Sequence, residues 1–351
     1  MTAVVADKDD PSFWKLQNNI KPSYWDDYVA TRPVYDSRIF QPILDYHASH
    51  SQSGSAAGGV SDASPDPATA ALDIGTGSGS AIEPLTKSFH HVVASDNDPV
   101  SLAFAKRRFA HLPAASEKEG RLSYTLSSGE DLLMHHPPNS FNLVTCAETF
   151  PLMDTDTALD NIWALLRPGG TMAVWFYGPP FFTREQGGFD YQASQRILDA
   201  LMDHNFRPVV SGGGEARTKV WKRAVDGKYS WLDYIPLPTT RWVDVRRHKW
   251  NTHARLSFFT PDACDFPVDG TASSVGEHET VTEEEDLGFW RVSWDVEKLA
   301  RFVRASFPRP HDGEDETMER LFAQLADAMG GRGVERKMSW PVVLILASVK
   351  K

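Results

Sequence analysis

Cysteine is scarce in this chain, with two residues, Cys146 and Cys264, in 351. That excludes a disulfide framework and fits a reducing compartment. No apolar run approaches the length of a membrane span. Met1 to Pro11 is polar and acidic and lacks the apolar core of a signal peptide, so a soluble, cytoplasmic protein is expected. Cations are in deficit, with 36 Lys and Arg against 47 Asp and Glu and a net charge of -11. Nucleic-acid backbones are held by clustered cations, so the balance argues against nucleic acid and for a small-molecule substrate. His90-His91 and His135-His136 are sequence neighbours without metal-ligand spacing, and no metal site is expected.

What the chain does have is Leu72-Asp73-Ile74-Gly75-Thr76-Gly77-Ser78-Gly79. An apolar strand entering a turn with glycines at alternate positions lets backbone approach a ligand where a Cβ would collide with it. A second apolar run ends at Asp96, 17 positions beyond Gly79, where a carboxylate can accept hydrogen bonds from both ribose hydroxyls. Together they point to an adenosine cofactor. A dinucleotide site would place pyrophosphate at the helix N-terminus, with Ser80 as its small third residue. Asp73, just ahead of the first glycine, would repel a diphosphate and suits the ammonium of an amino-acid cofactor. The reading is S-adenosyl-L-methionine, with NAD(P) and an unliganded glycine turn as alternatives.

The pattern around this motif alternates strand and helix. A helix over Asp36 to His47 carries Ile39, Phe40, Ile43 and Leu44 on one face after the breaker Pro33. Residues 48–69 are rich in Ser, Ala, Gly and Pro and read as a surface loop. Strands are expected at 70–74, 91–95, 122–126, 141–147 and 171–177. Helices fall at 81–89, from a cap at Asp98 and Pro99 to about Ala110, and at 157–166, where Arg167-Pro168-Gly169-Gly170 stops the helix. Such alternation implies a doubly wound, mostly parallel sheet. Beyond Gly178 come helices at 192–204, 295–306 and 314–329. Seven of the eleven tryptophans lie after residue 220, and an aromatic-rich helical cap is expected there. The acidic stretch 276–288 reads as a solvated loop. Ser339 to Leu346 reads as a strand closing the sheet edge beyond the fifth. The organisation is therefore an N-terminal segment 1–47, a loop 48–69, a core 70–180, a cap 181–335 and a final strand 336–351.

These residues resemble the class I S-adenosylmethionine-dependent methyltransferases, and within them the branch of fungal trans-aconitate methyltransferase. The likeness rests on Tyr28-x-x-x-Arg32-Pro33-x-Tyr35, the glycine turn, Val92-Val93-Ala94-Ser95-Asp96, and Ser127-Ser128-Gly129-Glu130-Asp131. It continues in Ser140 to Cys146 and in Leu166-Arg167-Pro168-Gly169-Gly170 leading to Ala173 to Tyr177. The resemblance implies a Rossmann-like fold with a seven-stranded sheet. It implies a cofactor set of Tyr28, Arg32, Asp73, Gly75, Thr76, Gly77, Gly79, Asp96, Asn97, Glu130, Asp131 and Ala147. In that set Asp73 and the glycines face the methionine part, Asp96 holds the ribose, and Glu130 lines the adenine. Tyr28 and Arg32 belong to a segment folded over the cofactor, where Arg32 can reach a carboxylate. Relatives in the branch carry His-Trp after the fourth strand, and Pro151-Leu152 stands here, so a different acceptor is expected.

Methyl transfer is an in-line displacement that depends on positioning, and a dry aromatic pocket favours a transition state in which charge cancels. Phe150, Trp175, Tyr177 and Phe181, at or near the carboxyl ends of the fourth and fifth strands, are the substrate-pocket candidates, with core packing as the alternative. A hydroxyl acceptor needs a base, for which Glu148 ranks ahead of His248 and His253. O-methylation of an organic acid or secondary metabolite is the expected function. A methyltransferase fold without methylation activity and an NAD(P)-dependent oxidoreductase are the alternatives.

Overall fold

The computed structural model describes residues 24–51, 68–112, 121–185, 187–307 and 315–351. Helices α1 (Tyr24–Thr31) and α2 (Ser37–His50) come first. The Asp36 carboxylate accepts a hydrogen bond from the Arg38 N–H at 3.0 Å and starts α2, whose Ile39, Phe40, Ile43 and Tyr46 are buried at helical spacing. Of the loop expected over 48–69, residues 48–50 extend α2, while 52–67 lie outside the described residues, as do 1–23.

Strands and helices then alternate: β1 (Ala70–Ile74), α3 (Ile82–Ser88), β2 (His91–Asp96), α4 (Pro99–Arg108), β3 (Leu122–Leu126), β4 (Phe141–Ala147), α5 (Thr155–Leu165) and β5 (Leu166–Tyr177). Asp98 caps α4 by accepting from the Val100 and Ser101 N–H groups, and Pro99 fills a first-turn position that needs no donor. The strands lie parallel in the order β3-β2-β1-β4-β5. The order reverses between β1 and β4, so the ligand crevice of this doubly wound sheet opens at their carboxyl ends. β5 is longer than expected. Arg167 to Gly170 forms an irregularity in the pairing with β4, with Gly169 left-handed at φ +71°.

The remainder is β6 (Phe181–Phe182), α6 (Tyr191–Val210), α7 (Glu215–Tyr229), β7 (Trp242–Trp250), β8 (Thr280–Glu284), β9 (Val292–Trp294), α8 (Val296–Ala305), α9 (Glu316–Met329), β10 (Arg336–Ser339) and β11 (Val342–Val349). β11 is buried at every position and pairs antiparallel with β5 and with β7. It does not close the edge, because β7 and β8 lie outside it, and the sheet has eight strands among the described residues instead of seven. The stretch 276–288 is not simply a solvated loop. It contains β8, exposed along its whole length, as suits a charged edge strand, and the Glu279 side chain just ahead of it is fully buried against Arg247. The region 181–335 is helical and aromatic as expected, and its β6 and β9 form a small sheet with β10, which lies past its expected end.

Neither α7 nor β7 was evident in the sequence. Inward positions of β7 carry Arg247 and Lys249, which pair with Glu279 at 2.5 Å and Asp233 at 2.7 Å. Cations at core positions hide the alternation that marks a half-buried strand. No helix among the described residues is long and apolar enough to cross a membrane.

Candidate active site

From the end of β1 the chain turns through Gly75, Gly77 and Gly79, all with φ between +52° and +82°, the left-handed region that side chains resist. Their neighbours differ. A Cβ on Gly75 would lie 2.5–2.8 Å from the Thr149 side chain, and one on Gly79 would lie 2.6 Å from Phe109 and 2.8 Å from Ile82. These two glycines let the turn pack on protein. A Cβ on Gly77 would meet nothing within 4 Å, so the open space expected beside the turn lies at Gly77.

Asp96 clasps this turn. Its Oδ2 accepts the Gly77 N–H at 2.8 Å and its Oδ1 the Asp98 N–H at 2.9 Å. With about four acceptor sites in all, the carboxylate keeps capacity for a further donor. Burial pushes the carboxyl up to about 6, opposed by the backbone amides of Asp98, Gly77 and Asn97. Asp73 lies beneath the turn, 2 % exposed, and its Oδ1 accepts the Thr145 hydroxyl at 2.7 Å, tying β1 to β4. Burial raises it to about 6 as well. The Thr76 N–H donates to the Ser95 carbonyl at 2.9 Å, joining the turn to β2.

Helix α1 and the residues after it bring Tyr28, Arg32 and Tyr35 toward the ends of β4 and β5. The Arg32 guanidinium lies 4.7 Å from the Tyr28 ring, 5.2 Å from Phe258 and 5.1 Å from Phe302. Its Nη2 reaches the Ala305 and Ser306 carbonyls at 3.4 Å, and its Nε and Nη1 are buried without a hydrogen-bond partner. Burial opposes its charge, yet Tyr177, Tyr28, Tyr24 and Glu148 together raise its pKa. Leaving buried charged donors unpaired is costly, and these two nitrogens are free to bond an anion.

Glu148 follows β4 in a left-handed conformation, φ +64°, uncommon away from glycine. Its N–H donates to the Trp175 carbonyl at 3.0 Å, and its Oε1 accepts the Tyr177 N–H at 2.5 Å. The carboxyl is set deep among protein atoms, while the residue as a whole is half-buried. Burial pushes its carboxyl up to about 8, against the pull of the Tyr177 amide, Arg32 and Lys228. A group that exchanges its proton near neutral pH is suited to general-base work.

Trp175 and Tyr177 are fully buried. Trp175 meets Tyr35 edge-on at 5.2 Å, and Tyr177 meets Tyr35, Phe258, Trp290 and Trp340 at 5.5–6.3 Å. Phe150 is fully buried in the short turn Phe150–Leu152, onto which α7 packs. Phe181 stands apart from this group. It meets the His253 ring edge-on at 4.9 Å and lines a cavity of about 570 Å³ with Tyr191, Gln195, Asp199 and Arg255. His248 is bonded to Thr282 on the outer strands at 2.8 Å. Glu130 accepts the Asp154 N–H at 2.8 Å, and the exposed Asp131 accepts the Ser128 hydroxyl at 2.9 Å. Asn97 follows Asp96, and Ala147 ends β4 opposite Trp175. The sequence reading missed Lys228 on α7, whose ammonium lies over three rings. Its signal was there: Trp221, Val225 and Lys228 recur at helical spacing, with a cation on the apolar stripe.

A model of the methyltransferase domain matches residues 72–174, from β1 into β5. The chain is 37% identical to Methyltransferase pgmE of Aspergillus terreus over 99% of both sequences. It is 34% identical to Methyltransferase ptaI of Pestalotiopsis fici over 93% of each, and 32% identical to Methyltransferase cfoB of Aspergillus candidus over 93% of this chain and 94% of that one. None of these names mentions trans-aconitate, so the narrower resemblance gains nothing from them. The likeness over the full length sets aside an oxidoreductase: with its reversed strand order and clasped glycine turn, the chain belongs to the class I S-adenosylmethionine-dependent methyltransferases.

Proposed function

We propose that this site methylates an oxygen atom of a small organic acceptor, with S-adenosyl-L-methionine held at the glycine turn. The observation that carries the cofactor assignment is the pairing of open space at Gly77 with Asp96, whose carboxylate clasps the turn and keeps acceptor capacity beyond its backbone partners. Asp96 would take the ribose hydroxyls. Arg32, with two buried nitrogens unpartnered, would take the cofactor carboxylate, and Asp73 beneath the turn adds negative charge near the ammonium. When bound, the cofactor supplies an electrophilic methyl on a sulfonium.

The chain's own work is then to orient and dry the acceptor and to receive its proton. The rings of Tyr28, Tyr35 and Tyr177 exclude water around Glu148, and in such surroundings charge cancellation is favoured. Glu148, deprotonated, would accept the proton of an acceptor hydroxyl. Calorimetry with S-adenosylhomocysteine tests the cofactor half: micromolar binding by the wild type and at least tenfold weaker binding by Asp96→Ala are expected. No heat with the wild type overturns the reading. Incubation with labelled cofactor and a panel of phenols and organic acids, with products resolved by mass spectrometry, tests the transfer to oxygen.

A further inference from the structure

Lys228 is 6 % exposed, and its Nζ has no hydrogen bond and no ion pair among the described residues. The ammonium lies 5.2 Å from the Phe176 ring, 5.6 Å from Trp221 and 5.8 Å from Phe259. Cation–π contacts of this kind contribute about 0.5–2 kcal/mol, far short of the hydration an ammonium gives up on burial. A buried lysine almost always has a carboxylate paired with it; this one has rings against it, and the carboxylate it feels, Glu148, forms no ion pair with it.

Its position is fixed from two sides. Helix α7 packs on the turn Phe150–Leu152, two residues beyond Glu148. The contact is pinned by Arg223, which donates to the Leu152 carbonyl at 3.1 Å and pairs with Asp154 at 3.6 Å. Lys228 is five residues further along α7, between one and two turns. On the other side Phe176, under its ammonium, touches Phe258, the ring that also lies under Arg32 and beside Tyr177. The lysine thus joins the aromatic surroundings of Glu148 through Phe176 and Phe258.

We propose that Lys228 is the acceptor-binding cation, and that the acceptor is a phenol or similarly acidic hydroxyl on a flat aromatic body, held as its oxyanion between Lys228 and the Glu148 carboxyl. This rests on the reading of the site as an oxygen methyltransferase given above. The rings around the ammonium suit a flat apolar body, and the unpaired ammonium suits an anionic oxygen. Where Glu148 is ionised, toward and above about 8, it separates a phenol from a carboxylic acid: a phenol arrives neutral and hands Glu148 its proton, so the site gains no charge, whereas a carboxylate would bring a second anion beside it. The Glu148–Lys228 attraction supports both ionised forms: burial lowers Lys228 to about 8, and Glu148 opposes that fall. In the reaction the hydroxyl proton passes to Glu148. The oxyanion forms an O–C bond to the methyl carbon as the C–S bond breaks and its electron pair stays on sulfur. The products are an aryl methyl ether and S-adenosylhomocysteine, and Glu148 then loses its proton to solvent.

The test uses full-length protein saturated with S-adenosylhomocysteine and 4-nitrophenol as the probe, since its absorbance separates phenol from phenolate. The wild-type complex should bind phenolate about tenfold more tightly than phenol, lowering the probe's apparent pKa. Lys228→Arg should keep the shift, and Lys228→Met should abolish it while still binding S-adenosylhomocysteine. A wild-type complex that produces no shift overturns the proposal, as does a Lys228→Met complex that shifts the probe like the wild type. A preference for 4-nitrobenzoate over 4-nitrophenol overturns the phenol assignment. Failure of S-adenosylhomocysteine itself to bind points instead to an error in the cofactor reading, which calorimetry registers independently of the probe.

Discussion

Two alanine substitutions two residues apart separate packing from ligand space in the glycine turn. Gly75→Ala places a Cβ 2.5–2.8 Å from three atoms of Thr149 on a residue at φ +66°. The left-handed conformation costs a side chain about 1–2 kcal/mol, and forcing the Thr149 contact adds about 1–3 kcal/mol, a destabilisation of about 2–5 kcal/mol. Gly77→Ala, at φ +52° and with nothing within 4 Å of the new Cβ, carries only the conformational cost of about 1–2 kcal/mol. The new methyl stands where the cofactor would lie, so S-adenosylhomocysteine affinity should fall at least tenfold, about 1.4 kcal/mol. Urea denaturation of the apo proteins and calorimetry of the folded variants measure the two quantities. Equal loss of stability in the two variants refutes the packing account of Gly75. Wild-type affinity in Gly77→Ala refutes the assignment of the open space.

Thermal stability should fall as pH rises from 6.5 to 8. The folded protein keeps the Glu148 proton to about 8 while the unfolded chain releases it near 4.5, so the unfolded state binds fewer protons in between. His47, lowered to about 4, acts in the opposite direction but only below its ordinary 6.5, Asp73 and Asp96 act below about 6, and Lys228 acts above about 8. Glu148→Gln should therefore flatten the melting temperature across 6.5 to 8 in differential scanning fluorimetry; an unchanged slope places the protonation elsewhere. Glu279→Ala strands Arg247, which is fully buried and whose other partners are the Leu232 and Ile235 carbonyls at 3.0 and 2.8 Å and Asp233 at 3.9 Å. A loss of about 3–5 kcal/mol is expected in urea denaturation, and a change below 1 kcal/mol would show that the pair is dispensable.

The half of the fold that carries the cofactor site was legible because each of its elements announces itself locally. β3 and β4 were read at the bounds the structure gives, and the cap at Asp98-Pro99 was visible as residue chemistry. The three glycines were legible as a turn but not as neighbours of Thr149, Phe109 and Ile82, since a sequence does not show what lies across a bend. The acceptor side was less readable. Tyr35 was noted only as part of a motif, yet it packs against both Trp175 and Tyr177. Phe181 is only four residues past Tyr177, but the chain passes to a second sheet there. In β7 and at Glu279, charge read as exposure, whereas burial of both members of an ion pair produces the same letters with the opposite meaning.

The interior place of β11 ties the two outer strands to the end of the sheet sequence: β7 and β8 reach β5 only through residues 342–349, which follow them in the chain. The pairing of β11 with β7 is long-range, of the kind that slows folding, and whenever β11 is undocked the apolar edge of β5 stands open to other chains.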